Sequence, residues 1–232
     1  MIIFIILILL SVSSAFSQID STIKENPNIF PIWTFHDDSV NIHGFSIGIS
    51  TLKSDINTHT NGIKIELIGA GLFYPLFPSH PTALDESSFQ TIKAGPIAQR
   101  INGLNLSMSG TWCHCITNGL LIGAVSQYNF QVNGISGSFI TNISQIHNGI
   151  QISAINRSFI MNGVQIGFAG NNVHIANGIQ IGVMVNSTVI MRGVQVGFLN
   201  FADDLKGIQI GVWNVNQDRS FPFFNWSFLK PF

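Results

Sequence analysis

Apolar and polar residues alternate along this chain in short blocks that recur. Val164, Ile166 and Phe168 share one side, with Gln165 and Gly167 between them. Ile179, Ile181 and Val183 alternate in the same way with Gln180 and Gly182, and Val194, Val196 and Phe198 with Gln195 and Gly197. A period of two is the mark of a β-strand. A second short apolar stretch closes most blocks: Phe130 and Val132, Phe159 and Ile160, Val173 and Ile175, Val189 and Ile190. Each block therefore predicts about two short strands and two turns, with the aliphatic side inward and the Gln–Gly side outward. After the N-terminal segment, no stretch sustains a helical period.

The blocks are copies of one unit, which begins Asn-Gly-(Ile/Val)-Gln-(Ile/Val)-Gly in its clearest forms. Its glycines are Gly103, Gly119, Gly134, Gly149, Gly163, Gly178, Gly193 and Gly207, spaced 14 to 16 residues apart. Two imperfect copies precede them, at His43 to Gly48 and Asn61 to Glu66. Repetition at a fixed period predicts stacked supersecondary units. Asn and Gly both tolerate left-handed backbone, and the pair is also a strong hairpin signal. Two architectures therefore compete, a solenoid of stacked coils and an antiparallel meander or barrel. The fixed glutamine slot favours the first. In parallel coils about 4.8 Å apart, Gln151, Gln165, Gln180, Gln195 and Gln209 would form a hydrogen-bonded amide ladder, which a meander would interrupt. The expected fold is all-β, a repetitive β-solenoid or β-roll of about 15-residue coils. Its structural residues are Gly149, Gln151, Gly163, Gln165, Gly178, Gln180, Gly193, Gln195, Gly207 and Gln209.

Residues 1–17 read as a secretory signal peptide. An apolar run, Met1 to Leu10, leads into small polar residues, with Gln18 as the first mature residue. No Lys or Arg precedes the run, which is short for a membrane span. Residues 18–101 form an N-terminal β region of imperfect repeats. Its insertion at 74–99 holds Pro75, Pro78, Pro81 and Pro96 and a small acidic spot at Asp85 and Glu86. Proline at that density predicts a loop projecting from the stack, where a ligand could bind. Residues 102–214 form the regular array. Residues 215–232 form an aromatic cap that would cover the last apolar face and strand edge. The terminal Phe232 after aromatic residues also looks like the end of an outer-membrane barrel.

Charged residues make up 9% of the chain and the net charge is −1. Such a surface lacks the basic footprint that nucleic acid requires. Polarity comes instead from uncharged side chains, with 22 Asn beside 22 Gly. The low charge favours self-association through stack ends or apolar faces.

Candidate chemistry is sparse. Cys113-His114-Cys115 is the one constellation that invites a metal. On a strand the two cysteines share a face and His114 points away, and zinc normally takes four ligands. Cys113 and Cys115 read first as two small core or turn residues, and after that as a strained disulfide in an oxidising compartment. The seven histidines are scattered, and only His147 and His174 fall near equivalent positions of their copies. Asp203-Asp204 sits in a turn-like segment, and no Gly-x-Ser-x-Gly elbow surrounds any serine. Carboxylates are too few for a glycosidase-like face. No catalytic residue, cofactor or resident metal is expected.

The run from Arg192 through Gly193-Val194-Gln195-Val196-Gly197-Phe198-Leu199-Asn200 to Gly207-Ile208-Gln209-Ile210-Gly211-Val212-Trp213-Asn214 resembles a family of bacterial surface repeat-containing proteins. Their repeat is similar to Gly-Val-Gln-Ile-Gly-x-x-Asn. The likeness is strong over Asn148 to Phe232 and looser over Asn41 to Asn133. It implies an exported protein at the surface or outer membrane of a Gram-negative bacterium. That protein would act as a non-enzymatic scaffold or adhesion module for an unknown surface ligand or envelope component. An integral outer-membrane β-barrel, as a pore or assembly component, is the alternative.

Overall fold

Ten glycines shape the chain into a coil. Gly44, Gly62, Gly103, Gly119, Gly134, Gly149, Gly163, Gly178, Gly193 and Gly207 all have φ between +126° and +152°. From Gly62 onward, a Cβ at each would lie 2.2 Å or less from the carbonyl oxygen of the preceding glycine in the series. Neither the angle nor the space admits a side chain. The Asn–Gly pairs are thus corners within continuous strands rather than hairpin turns. Among the described residues, only Ser39 and Phe223 combine positive φ with a side chain, so no described Asn uses left-handed backbone. The asparagines contribute differently, through their amides.

The structure, a computed structural model, describes residues 26–51, 57–74 and 81–228. The expected signal peptide at 1–17, the new N-terminus at Gln18 and the terminal Phe232 lie outside the described residues. The strands are β1 (Asn28–Ile29), β2 (Ile32–Trp33), β3 (Asn41–Gly48), β4 (Thr58–Glu66), β5 (Gln99–Ser107), β6 (Trp112–Gly123), β7 (Ser126–Gly137), β8 (Thr141–Val215) and β9 (Ser220–Ser227). β8 is one extended chain of 75 residues that winds through successive coils. Neighbours from β3 to β8 pair in parallel, with Gly44 against Gly62, Gly62 against Gly103, Gly103 against Gly119, Gly119 against Gly134 and Gly134 against Gly149. The fold is a β-solenoid, with about seven turns from the Gly103 row to the Gly207 row and the rows of Gly44 and Gly62 stacked before them. Parallel pairing rules out the antiparallel meander or barrel, because consecutive hairpins must alternate in direction.

The faces are the reverse of the sequence expectation. Gln151, Gln165, Gln180, Gln195 and Gln209 are fully buried, whereas Ile166, Phe168, Ile181 and Val183 are exposed. The amides point into the coil because they can satisfy one another there. Each glutamine Nε2 donates to the Oε1 of the glutamine one coil earlier, at 2.8 Å for Gln165 to Gln151, 3.1 Å for Gln180 to Gln165, 2.9 Å for Gln195 to Gln180 and 2.8 Å for Gln209 to Gln195. A second buried ladder joins Asn156, Asn171, Asn186, Asn200 and Asn214 at 2.8–2.9 Å. The amides of Asn156, Asn171, Asn186 and Asn200 each use a second proton on a backbone carbonyl, those of Ile166, Ile181, Val196 and Ile210. Such bonds contribute about 1 kcal/mol apiece, and more is lost when one partner is removed.

The interior is also thin. Thr188 Oγ1 donates across it to Gln180 Oε1 at 2.7 Å. The second glycine of the repeat makes room for the asparagine ladder. A Cβ on Gly182 would lie 2.5 Å from Asn186 Oδ1, and one on Gly211 would lie 2.5 Å from Asn200 Nδ2. An aliphatic side chain turned inward here would strand the amides and collide with the opposite wall. Apolar packing inside these later coils forms a column along one edge, of Met161, Val173, Ala176, Met191, Ala202 and Leu205, and the earlier coils hold separate clusters at Ala98, Ile101, Cys113 and Cys115 and at Tyr128 and Ile143.

Two further elements close the stack. β9 pairs antiparallel with the last turn, Gln209 against Asn225, and Asn225 continues the glutamine ladder at 3.2 Å. β9 lies within the segment 215–232 expected to be an aromatic cap, and Pro222 suits its edge position. The described part of the insertion, from residue 81, is not a projecting loop. Within it, helix α1 (Glu86–Lys93) starts on a capping box in which Asp85 accepts from the Ser88 backbone at 2.7 Å. The helix lies on the coils: Phe89 stacks on Phe159 at 4.5 Å, and the Ala83 amide donates to Gln145 Oε1 at 3.0 Å. The acidic spot is therefore a helix N-terminus, where Asp85 caps free amides and Glu86 meets the positive end of the helix dipole.

Candidate functional site

With the amides inside, the apolar side of every strand is left outside. In each row the residues one, three and five places after the corner glycine face out and are apolar, from Phe45, Ile47 and Ile49 to Ile208, Ile210 and Val212. The inward places between them hold the polar residues, including Lys64 and Glu66. Register fixes the rows over one another: Phe45, Ile63, Leu104, Leu120, Ile135 and Ile150 stack, as do Ile47, Ile65, Leu106 and Ile122. β9 extends the face, placing Phe224 against Ile210 and Trp226 against Ile208. Phe168 is 72% exposed and Ile166 39%. The outcome is a flat, uncharged apolar sheet surface. Gly137 leaves a gap in one row, and beside it lies a shallow depression of about 550 Å³ lined by Leu106, Met108, Ile122, Phe139 and Ile152. Contiguous apolar patches this extensive mark interaction surfaces on soluble proteins.

An edge of the same face carries the third amide ladder. Asn102, Asn118, Asn133, Asn148, Asn162 and Asn177 each donate to the asparagine one coil earlier, beginning at Asn61, at 2.6–2.8 Å. The slot then passes to Arg192, which pairs with Asp204 at 2.5 Å on the surface. The Asp203-Asp204 segment, expected to be a turn, is extended strand, and Asp204 holds a cation of the neighbouring coil.

The buried ionisable groups are enclosed. Lys64 takes the glutamine slot of β4, with Nζ 3.0 Å from Thr51 Oγ1 and 4.5 Å from the Phe35 ring centroid. Burial pulls its amine down to about 8, and the Glu66 charge partly opposes that. Glu66 accepts from the Thr51 amide and, at 2.8 Å, from Thr111 Oγ1. His147 lies 2.7 Å from Ser136 Oγ, whose oxygen accepts from Asn142 at 2.8 Å. Burial depresses the imidazole to about 4. His147 and Ser136 are both fully buried, and so are Lys64 and Glu66. These pairs bind coil to coil and do not reach the surface.

His147 and His174 are not equivalent. His147 points inward in the column above Val132, while His174 lies outside, stacked on Phe159 at 4.6 Å. Cys113 and Cys115 are joined in a disulfide beside a register shift between β6 and β7, and both are buried. Among the described residues, no group of three His, Cys, Asp or Glu is placed to hold a metal. The residues expected to carry the repeat fall in their columns, glycines at the corners and glutamines in the ladder. Sequence reasoning missed the outer face itself, together with Lys64, Glu66, Ser136 and Asn142. The missed signal was size: the outward slot holds Val, Phe, Ile or Leu freely, whereas the ladder slot holds Gln alone from Gln151 to Gln209.

A parallel β-solenoid with a polar, laddered interior and an apolar outer face defines the class of this chain. Its comparison with protein-family models, with curated proteins and with solved structures gives no match. Among the described residues, no helix is long and apolar enough to cross a membrane.

Proposed function

We propose that this chain is an exported bacterial surface repeat protein, a non-enzymatic scaffold or adhesion module whose working surface is the apolar outer face. The observation that carries the reading is the inverted arrangement of the coil. The inner amides are engaged in ladders, and the outer face formed by the rows after the corner glycines is a long surface without charged side chains, suited to contact rather than chemistry. The resemblance of the repeat to surface repeat-containing proteins supports the compartment, as does the apolar Met1 to Leu10 segment. The pore reading loses its basis with the barrel, since a solenoid encloses no channel between its packed walls.

Fractionation tests this. Expressed in a Gram-negative host, the full chain is expected in the envelope fraction, with Gln18 at its N-terminus. Protease added to intact cells should degrade it. Recovery from the cytoplasm with Met1 retained, or full protection from external protease, would overturn the proposal.

A further inference from the structure

We infer that the apolar face is covered by a second copy of this chain, in a face-to-face homodimer. The inference rests on the reading of that face as the working surface and names its partner.

Area is the first argument. Ten glycine rows at about 4.8 Å give a length of about 43 Å, and six residues of strand at about 3.3 Å give a width of about 20 Å. The product, about 860 Å² per copy, corresponds to roughly 1,700 Å² buried in a pair, within the range of stable specific interfaces. An apolar surface of that size is unusual on a free monomer.

Period is the second argument. Side chains stand in rows at the inter-strand spacing, and the grooves between them share it. A second copy carries ridges of the same period, so its rows can seat in these grooves along the whole length, as in paired cross-β sheets. A partner without strands at this spacing would fall out of step after a few rows, and a second copy matches it over the full length. A two-fold pairing is closed, which sets its stoichiometry at two.

Charge is the third argument, and it decides against a lipid surface. Proteins that lie on membranes flank their apolar side with Lys and Arg that engage anionic headgroups. The chain has 10 Lys and Arg in all; none stands in the outward rows of this face, and of those at its margin Arg192 is already paired with Asp204 and Arg219 is stacked over Trp226, which leaves Lys206. A charge-free face costs nothing in stranded ions when it is buried against its own kind.

The full chain, expressed with its N-terminal segment in place and purified without detergent, is expected to sediment at twice the monomer mass at micromolar concentration. Ile166→Lys with Ile181→Lys puts charge in the middle place of two adjacent rows of the interface and should weaken dimerisation by about 100-fold or more. Both side chains face solvent in one copy, so β circular dichroism should persist. Should that pair fail to fold, Ile166→Ser with Ile181→Ser is the milder variant, expected to weaken association by about 10-fold. A wild-type monomer, an open-ended series of oligomers, or a dimer indifferent to these substitutions overturns the inference. So does a monomer that pellets with neutral phosphatidylcholine vesicles and loses that property in the variants, which would assign the face to lipid. Fractionation reports the compartment and sedimentation reports the partner, so either proposal can fail alone.

Discussion

At the residue scale, His147 shows what a polar interior costs. It occupies a column whose other members include Val132, Met161, Ala176, Met191 and Leu205. Ser136 meets its Nε2, but its Nδ1 finds no protein partner. Its folded value near 4 lies below the unfolded 6.5, so between those values the unfolded chain binds more protons. Stability is therefore complete above pH 6.5 and drains as pH falls through 4, by about 3 kcal/mol at most. Urea unfolding midpoints between pH 7 and pH 4 check this. His147→Met, which matches Met161 and Met191, should flatten most of that slope; an unchanged slope would assign it elsewhere. Lys64 acts at the other end of the scale. Its lowered value makes stability climb as pH rises from about 8 toward 10.5.

At the element scale, α1 is a clamp on the outer wall opposite the apolar face. Phe89 buries against Phe159, with Ala83 beside it, and Ile92, Ile146 and Ile160 pack around them. Phe89→Ala should cost about 3 kcal/mol and leave the ladders in place. Thermal unfolding and limited proteolysis check it together: a lower Tm, with new cleavage confined to the insertion. An unchanged Tm would mean that the helix merely rests on the stack. This docking was not legible in the sequence. The prolines promised a loop, and nothing local announces that Phe89 and Phe159 meet across coils. What was legible was the ladder, because a Gln kept at one slot from coil to coil must meet its own copies once the coils stack. Its side was not. Alternation separates two faces without saying which one is inside, and the usual preference for buried aliphatics points the wrong way when amides satisfy each other. Gly182 and Gly211 held the cue, since small inward residues mark a wall too close for Ile or Phe.

At the scale of the whole molecule, the ladders divide the stack. The glutamine slot is unbroken from Gln151 to Gln209 and closes on Asn225. In earlier coils the same slot passes through Ser46, Lys64, Asn105, Leu121 and Ser136. Buried polar atoms without a protein partner concentrate in those coils, at Ser46, Ser126, Gln127, Thr141, Asn142 and His147. A one-dimensional array opens where its neighbour interactions are weakest. Hydrogen exchange should therefore find the strongest protection at 149–215 and earlier opening in β3 to β7. Uniform protection along the stack would contradict this. The Arg192–Asp204 pair is too exposed to add much.

The corner glycines set a rule of inheritance for the chain. The coils that begin at Gly149, Gly163 and Gly178 offer one another the same glycine, the same outer asparagine and the same inner amides. Removal of 163–177 would set Gly178 over Gly149, Gln180 over Gln151 and Asn186 over Asn156, the pairings each already makes with an identical residue. A gene can therefore lengthen or shorten the molecule by whole units, about 4.8 Å at a time, without a new contact having to arise. The two ends are unique; what lies between them is a length that mutation can count in coils.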